Sequence, residues 1–184
     1  MPVSDIPVVI SNVKALLRLE KGSNPVVTTN GKNLSIPFSL ENIDCALSTP
    51  DKIFFRFIRP VVCNPRSRKP KKYLVLKSDH IDEITKVVNP DYDTRAWLCN
   101  PFKSWGYDTE LYVSPVKVGV CVVADSHGFA HFDCSSVSTV EFFRTMPGTR
   151  SFDIAFTLDC GQQHIIENID KSDLGRLNTT LQGH

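Results

Sequence analysis

One cluster of cysteine and histidine residues in this sequence resembles the ligand set of a metal site. Cys121, His127, His131 and Cys134 lie close together along the chain, and zinc uses ligands of these types. If His127 and Gly128 form a two-residue hairpin loop, Cys121 pairs with Cys134 across two strands. His131 and Cys134 then point to opposite faces of one strand. The spacing therefore predicts no metal site, but two buried, reduced thiols that face each other.

The segment "LDCGQQH", residues 158–164, raises a second kind of chemistry. Cys160 is a candidate nucleophile if a histidine activates its thiolate, and its Cys-Gly dipeptide resembles the nucleophile of some viral chymotrypsin-like proteases. The glycines that surround such a nucleophile are missing, and the first histidine, His80, falls in a predicted helix. No phosphate-binding or dinucleotide-binding glycine motif is present. We therefore expect no enzyme, with no catalytic residue, cofactor or small-molecule substrate, and keep a cysteine-dependent hydrolase as an alternative.

Positive charge is concentrated in one segment. Residues 53–77 contain eight basic residues and no acidic one, which leaves the rest of the chain with a formal balance of −7. Pro65 and Pro70 keep the middle of this segment out of a helix or a central strand. We predict an exposed basic loop over residues 63–72 that joins two paired strands and contacts a polyanion. The predicted polyanion-binding residues are Arg59, Arg66, Arg68, Lys69, Lys71, Lys72 and Lys77.

Aromatic residues accumulate in residues 89–108, which read as a long irregular connection. Aromatic side chains in such a loop can stack on bases or insert into a protein partner. The predicted partner contacts are Trp97, Phe102, Trp105 and Tyr107. The alternative is that these side chains pack as a small core beneath the loop.

Helices are predicted at three places. Val9, Val13, Leu16 and Leu17 follow the helical spacing, which predicts an N-terminal helix over about residues 5–21. The segment 78–88 carries a second apolar stripe and ends at Asn89-Pro90. A short last helix is predicted from Ser172, with three leucines on one side.

Strands are predicted over most of the remaining chain. The clearest alternation is at residues 151–159, where Phe152, Ile154, Phe156 and Leu158 share one face. Residues 137–146 fit either a short helix or a strand before the Pro147-Gly148 turn. Other predicted strands cover 34–38, 52–62, 72–76, 109–115 and 117–125.

Together these elements predict an α+β fold with a mainly antiparallel β-sheet and short flanking helices. A small β-sandwich with helical decorations is the alternative. The 184 residues are expected to form a single globular domain. The sequence shows no internal repeat, no signal peptide and no apolar run long enough to span a membrane.

In general style this sequence looks like a small viral structural protein of matrix or coat type. That resemblance implies a non-enzymatic protein that self-associates into a homo-oligomer and contacts RNA or an acidic membrane through residues 59–77. A nucleic-acid-binding regulatory protein without a lattice is the alternative. The expected location is the cytoplasm, with nuclear import through the basic segment as the alternative.

Overall fold

The structure is a computed structural model that describes residues 4–20, 23–29, 35–37, 39–62, 69–114, 120–125, 128–133 and 137–182. The chain divides into two compact units, residues 1–95 (unit 1) and residues 96–184 (unit 2). The sequence length predicts a single globular domain, and the structure divides the chain further into these two units. The single domain stays a prediction.

Unit 1 is built on a sheet of short, mainly antiparallel strands followed by one helix. The helix α1 spans Ile81–Val88 and ends at Asn89, whose left-handed backbone closes the last turn. A short strand at Tyr92–Asp93 (β8) then pairs in parallel with the fifth strand. The first seven strands are β1 Ser4–Ile10, β2 Val13–Leu19, β3 Val26–Thr29, β4 Ser35–Pro37, β5 Ile43–Ser48, β6 Lys52–Val61 and β7 Lys71–Lys77.

Unit 2 contains an antiparallel sheet followed by the helix α2 at Leu174–Gln182. Its strands are β9 Leu98–Ser104, β10 Tyr107–Val113, β11 Val120–Asp125, β12 Gly128–Asp133, β13 Val137–Phe143, β14 Ser151–Leu158 and β15 Gln163–Asp170. A single 3-10 turn, Lys171–Asp173, links the last strand to the helix.

The two units share one strand order, although the sequence shows no repeat. In unit 1 the order across the sheet is β4-β3-β2-β1-β7-β6-β5, with β8 added at the end. In unit 2 it is β12-β11-β10-β9-β15-β14-β13. Both therefore have a first strand that pairs with the second and the seventh, and both continue into a helix. The fold of one unit is thus repeated in the other.

Each unit has its own hydrophobic core. In unit 1, Phe55, Phe57 and Leu76 are buried with the helix residues Ile81 and Ile84. In unit 2, the alternation predicted for residues 151–159 places Phe152, Ile154 and Phe156 in the core, where Leu177 of α2 is also fully buried. Burial of each such side chain stabilises the fold by roughly 1.5–3 kcal/mol.

The predicted α+β class with a mainly antiparallel sheet is confirmed. The helices predicted at residues 78–88 and after Ser172 are present, and the ambiguous segment 137–146 contains a strand, β13 at Val137–Phe143. Among the described residues, no helix is long and apolar enough to cross a membrane.

The predicted N-terminal helix over residues 5–21 is wrong. The segment is a hairpin in which Ile10 pairs with Val13 around the turn Ser11–Asn12. Its alternate residues are buried, Ile6, Val8 and Ile10 on one strand. Leu16, one of the residues that suggested a helical stripe, is 37% exposed. Burial of every second residue, which is typical of a strand, therefore describes this segment, and the helical spacing does not.

Two further predictions about the second half are corrected. Residues 89–108 are not an irregular connection, because they contain β8, β9 and the start of β10. In the β11–β12 hairpin, Asp125 pairs with Gly128, so Cys121 lies opposite Phe132 and not Cys134. The described pair nearest the turn is therefore Asp125 with Gly128, one position earlier on each strand than the predicted pair Ser126 with Phe129. Cys134 and His127 lie outside the described residues.

Candidate partner-binding surface

The cations from Arg59 to Lys77 that the structure describes are exposed to solvent. Strands β6 and β7 pair as expected, with Val61 opposite Lys71. The exposed cations are Arg59, Lys69, Lys71, Lys72 and Lys77. Residues 63–68, and with them Arg66 and Arg68, lie outside the described residues.

The structure does not bring all these cations together. Lys71 and Lys72 belong to strand β7 and not to the predicted loop over residues 63–72. Lys77 pairs with Lys52 at the opposite end of the same two strands, about 20 Å from Lys71 at the rise of an extended chain. The backbone of Arg59 is held by the Asn42 side chain, which accepts from its N–H at 2.9 Å and donates to its carbonyl at 3.0 Å.

The four predicted aromatic contacts divide into different environments. Phe102 is 4% exposed and belongs to the core of unit 2, so its proposed contact with a partner is wrong. Trp97 is half-buried. Trp105 and Tyr107, in contrast, are 62% and 57% exposed at the tip of the β9–β10 hairpin.

The tip of this hairpin has an unusual backbone. Trp105 and Gly106 form a two-residue turn between the paired residues Ser104 and Tyr107, with φ of 54° and 77°. Two positive φ angles are typical of the type I′ turn, which favours Asn-Gly. A bulky side chain in the left-handed region is uncommon and costs roughly 1–2 kcal/mol.

A hydrogen-bond network ties this turn to the far side of the sheet. The Trp105 N–H donates to the Asn168 carbonyl at 2.9 Å, and the Asn168 N–H donates to Asp153 Oδ1 at 2.8 Å. Arg144 completes the network with two bonds to the Asp153 carboxylate, at 2.7 and 2.9 Å. We call these four residues the Asp153 network. Arg144 and Asn168, like Trp105, have positive φ angles.

The hydrogen bond from Arg144 lowers the pKa of Asp153 below its ordinary value of 3.8, and the Asn168 N–H acts in the same direction. Asp153 is therefore ionised at neutral pH, and it links Arg144, which follows β13, to Asn168 of β15 at the point where the pairing of β14 with β15 is irregular. Its side chain is 20% exposed, so the ion pair is partly shielded from solvent.

The loop between β13 and β14, residues 144–150, is held by the lysine that directly follows β15 and begins the 3-10 turn. Lys171 Nζ lies 3.0 Å from the Met146 carbonyl and 2.8 Å from Thr149 Oγ1. The Thr149 hydroxyl lies 2.8 Å from the carbonyls of both Arg144 and Met146. The loop is thus closed by polar contacts while Met146 remains 71% exposed.

These features lie at the same end of unit 2. Ile169 pairs with both Ser104 and Phe152, and Phe143 pairs with Asp153. The hairpin tip, the start of β14 and the end of β13 are therefore neighbours. Four exposed apolar side chains belong to this end, which we call the apolar end: Trp105, Tyr107, Phe143 and Met146.

The two units carry opposite formal charge. Unit 1 has fifteen basic and ten acidic residues, a balance of +5, whereas unit 2 has six basic and ten acidic residues, a balance of −4. Exposed carboxylates of unit 2 include Glu141, Asp159 and Glu167. Asp108 is 91% exposed beside Lys103, at 3.2 Å. A surface pair of this kind contributes little to stability and leaves the carboxylate accessible.

The cysteines of the described region have different environments. Cys45 is buried, and burial, with the nearby charge of Asp91, raises the pKa of its thiol to about 12. This thiol therefore stays protonated and unreactive at neutral pH. Cys160 and Cys99 are exposed. Cys160 lies in the turn between β14 and β15.

Comparison with known families identifies one similarity. Residues 113–184 match the family described as histone chaperone Rttp106-like, middle domain. The matched part runs from the end of β10 through α2, so it includes the Asp153 network except for Trp105. A search of curated proteins finds no match to the chain.

This match overturns the viral interpretation. A cellular histone-chaperone family is inconsistent with a viral matrix or coat protein, so the structural-protein function inferred from general style is wrong. The predicted homo-oligomer and the predicted contact with an acidic membrane were inferred from the viral resemblance. They therefore have no support once that resemblance is rejected. The inference depended on a compact β-rich body with a basic element, and those features are shared by proteins of unrelated function.

Trp105 was predicted as a partner contact, but the other residues of the Asp153 network and Lys171 were not singled out from the sequence. Arg144, Asp153, Asn168 and Lys171 lie in different parts of the chain, and their spacing carries no motif. Only Pro147-Gly148 marked the loop that they support. Pairing of the consecutive strands β13, β14 and β15 brings them together, and their contacts depend on the register of that pairing.

Proposed function

We propose that this chain is a non-enzymatic histone-binding protein whose unit 2 carries the histone contact. The observation that carries the proposal is the match of residues 113–184 to the histone chaperone Rttp106-like middle domain. In this proposal the protein works in the nucleus, where it binds histones away from DNA, and the basic segment 59–77 assists its import.

The charge of unit 2 supports this proposal. Histones are strongly basic, and a formal balance of −4 on one compact unit favours their association through long-range attraction. The exposed carboxylates provide acceptors for lysine and arginine, and the apolar end provides area that can be dehydrated on binding. Both features are typical of a protein-binding surface.

A second activity, contact with nucleic acid, is favoured by a separate observation on unit 1. All the cations of the segment 59–77 that the structure describes are exposed, and unit 1 as a whole carries a balance of +5. Exposed lysine and arginine neutralise phosphates and release counterions. We propose that unit 1 contacts DNA or RNA through Arg59, Arg66, Arg68, Lys69, Lys71, Lys72 and Lys77 while unit 2 contacts histone.

The test uses the full chain and fluorescently labelled core histones, prepared separately as the histone tetramer and the histone dimer. Fluorescence anisotropy at physiological salt is expected to show saturable binding of at least one of these two histone complexes. A triple variant of unit 2, Glu141→Gln with Asp159→Asn and Glu167→Gln, is expected to weaken that binding.

The matched control removes three exposed carboxylates from unit 1, by Glu41→Gln, Asp79→Asn and Glu83→Gln. This variant has the same net charge as the unit 2 variant, so a difference between them reports position and not total charge. Absence of binding to both histone complexes would refute the proposed function. Equal loss in the two variants would refute its assignment to unit 2.

A further inference from the structure

We infer that Trp105 is the anchor of the histone contact and that its indole receives a lysine or arginine side chain of the partner. This inference rests on the proposed function and specifies which residue makes the contact. Trp105 lies just outside the residues that match the histone-chaperone family.

The fold does not require tryptophan at this position. The repeated architecture places the β1–β2 turn of unit 1 at the position that the β9–β10 turn has in unit 2. In unit 1 this turn is Ser11–Asn12, with φ of 47° and 66°, close to the 54° and 77° of Trp105–Gly106. A small polar residue therefore makes the same turn, and Ser11 is also exposed.

Trp105 also gains little from the rest of unit 2. Its side chain is 62% exposed, so it contributes less burial than an aromatic residue of the core. Its left-handed backbone is disfavoured for a bulky residue. A strained and exposed aromatic residue that neither packing nor turn chemistry explains is a candidate for function.

The backbone beneath Trp105 is held in place. Its N–H is bonded to Asn168, and Ser104 Oγ donates to the Glu167 carbonyl at 2.6 Å. Asn168 is bonded in turn to Asp153. Binding therefore does not have to order this turn, and preorganisation of this kind favours affinity.

The chemistry of the surroundings selects a cationic partner group. An indole face attracts ammonium and guanidinium groups, most strongly among the aromatic side chains. Glu167 is exposed and next to Asn168, and Asp108 is exposed one residue beyond Tyr107. The cation Arg144 is already bonded to Asp153. An aromatic face beside accessible carboxylates fits a lysine-rich or arginine-rich segment.

The decisive variant is Trp105→Asn, because it separates structure from function. Asn-Gly is the preferred type I′ turn, so this change should raise the melting temperature of the protein. The same change should weaken histone binding by roughly tenfold or more, as removal of an aromatic anchor does. Ser11→Asn makes the matched change in unit 1 and should leave histone binding unaltered. Unaltered histone binding by Trp105→Asn would overturn the inference.

A second measurement observes Trp105 directly. The chain has two tryptophans, so Trp97→Phe leaves Trp105 as the single indole reporter. We expect iodide and acrylamide to quench its fluorescence in the free protein, and a saturating amount of the core-histone tetramer or dimer to protect it. Histone binding without protection would overturn the role of Trp105 but leave the proposed function standing. No histone binding at all would overturn both.

Discussion

At the residue scale, one carboxylate organises the candidate surface. Asp153 receives hydrogen bonds from Arg144 on the neighbouring strand's loop and from the backbone of Asn168 on the other side. Without this carboxylate, the Asn168 backbone and the Arg144 side chain lose the group that holds them together. Asp153 is therefore expected to act on Trp105 as a positioning residue and not as a contact.

Asp153→Asn is expected to lower stability in a pH-dependent way. The folded-state pKa of Asp153 is below its ordinary value of 3.8, so its ionised form stabilises the fold above that value. This contribution is lost as the pH falls through the lower, folded-state pKa. The difference in unfolding free energy between the wild-type protein and Asp153→Asn should therefore be largest near neutral pH and shrink below about pH 4.

Urea unfolding from pH 7 to pH 2.5 measures that difference. Asp159→Asn is the control, because Asp159 is an exposed carboxylate in the turn between β14 and β15. A destabilisation by Asp153→Asn that stays constant over the whole pH range would contradict the electrostatic role of Asp153.

At the element scale, the loop of residues 144–150 depends on Lys171. The lysine ammonium interacts with oxygens that belong to three loop residues. These contacts replace the regular strand pairing that the loop lacks, and they keep exposed Met146 on a defined backbone. The backbone beneath the exposed side chain of Met146 at the apolar end is therefore fixed by specific polar contacts.

Lys171→Met is expected to destabilise the protein by about 1–2 kcal/mol, since it keeps the apolar stem but removes charged hydrogen bonds. Lys103→Met is the control, because the contact of Lys103 with Asp108 is solvent-exposed and should change stability by less than about 1 kcal/mol. Denaturant midpoints compare the two variants. Equal midpoints for them would show that Lys171 does not hold the loop.

The elements of the core could be predicted from the sequence more reliably than those of the surface. Phe152, Ile154 and Phe156 alternate without interruption, and β14 follows. In the N-terminal hairpin, the turn residues Ser11 and Asn12 provide no glycine or proline to mark the reversal. The apolar residues on either side then match a helical spacing by coincidence. The fold class was still correct, because most of the sheet lies elsewhere.

The candidate surface could be predicted only in part. The aromatic content of residues 89–108 drew attention to Trp105 and Tyr107, but Phe102 beside them is buried. Phe102 lies on β9, whereas Trp105 lies in the following turn and Tyr107 begins β10. The proline and the polar residues of 98–104 hid that strand in the sequence. Asn168 reaches Trp105 through the pairing of β15 with β9, which are far apart in the sequence, so no local pattern records this contact. Arg144 joins them through Asp153 of the adjacent strand β14.

At the scale of the whole molecule, one architecture is used twice with opposite charge. In the described part of each unit, seven strands follow the same order and a helix comes after them, with β8 added in unit 1, but unit 1 is basic and unit 2 is acidic. The strand order depends on backbone pairing and on which face is buried, so surface residues can diverge while the fold is kept. This divergence supports one partner class for each unit, nucleic acid for unit 1 and histone for unit 2.

Removing the basic segment's charge should affect nucleic-acid binding and leave histone binding intact. We expect replacement of Arg66, Arg68, Lys69, Lys71 and Lys72 by glutamine to reduce the log–log salt slope of DNA binding by roughly 3.5 to 4.5 units, because each phosphate contact contributes about 0.7 to 0.9. Affinity measured over a salt series tests this. An unchanged slope in a folded variant would show that the segment is only solvated.

Hydrogen–deuterium exchange of the full chain, free and saturated with core histones, tests the histone-binding role of unit 2 most directly. We expect slower exchange on binding at the Trp105–Gly106 turn and in residues 144–150, at the apolar end of unit 2. Strands of the unit 2 core that are already protected should change little. Binding that slows exchange only in unit 1, or no slowing at any position, would contradict the central claim that unit 2 binds histone through its apolar end.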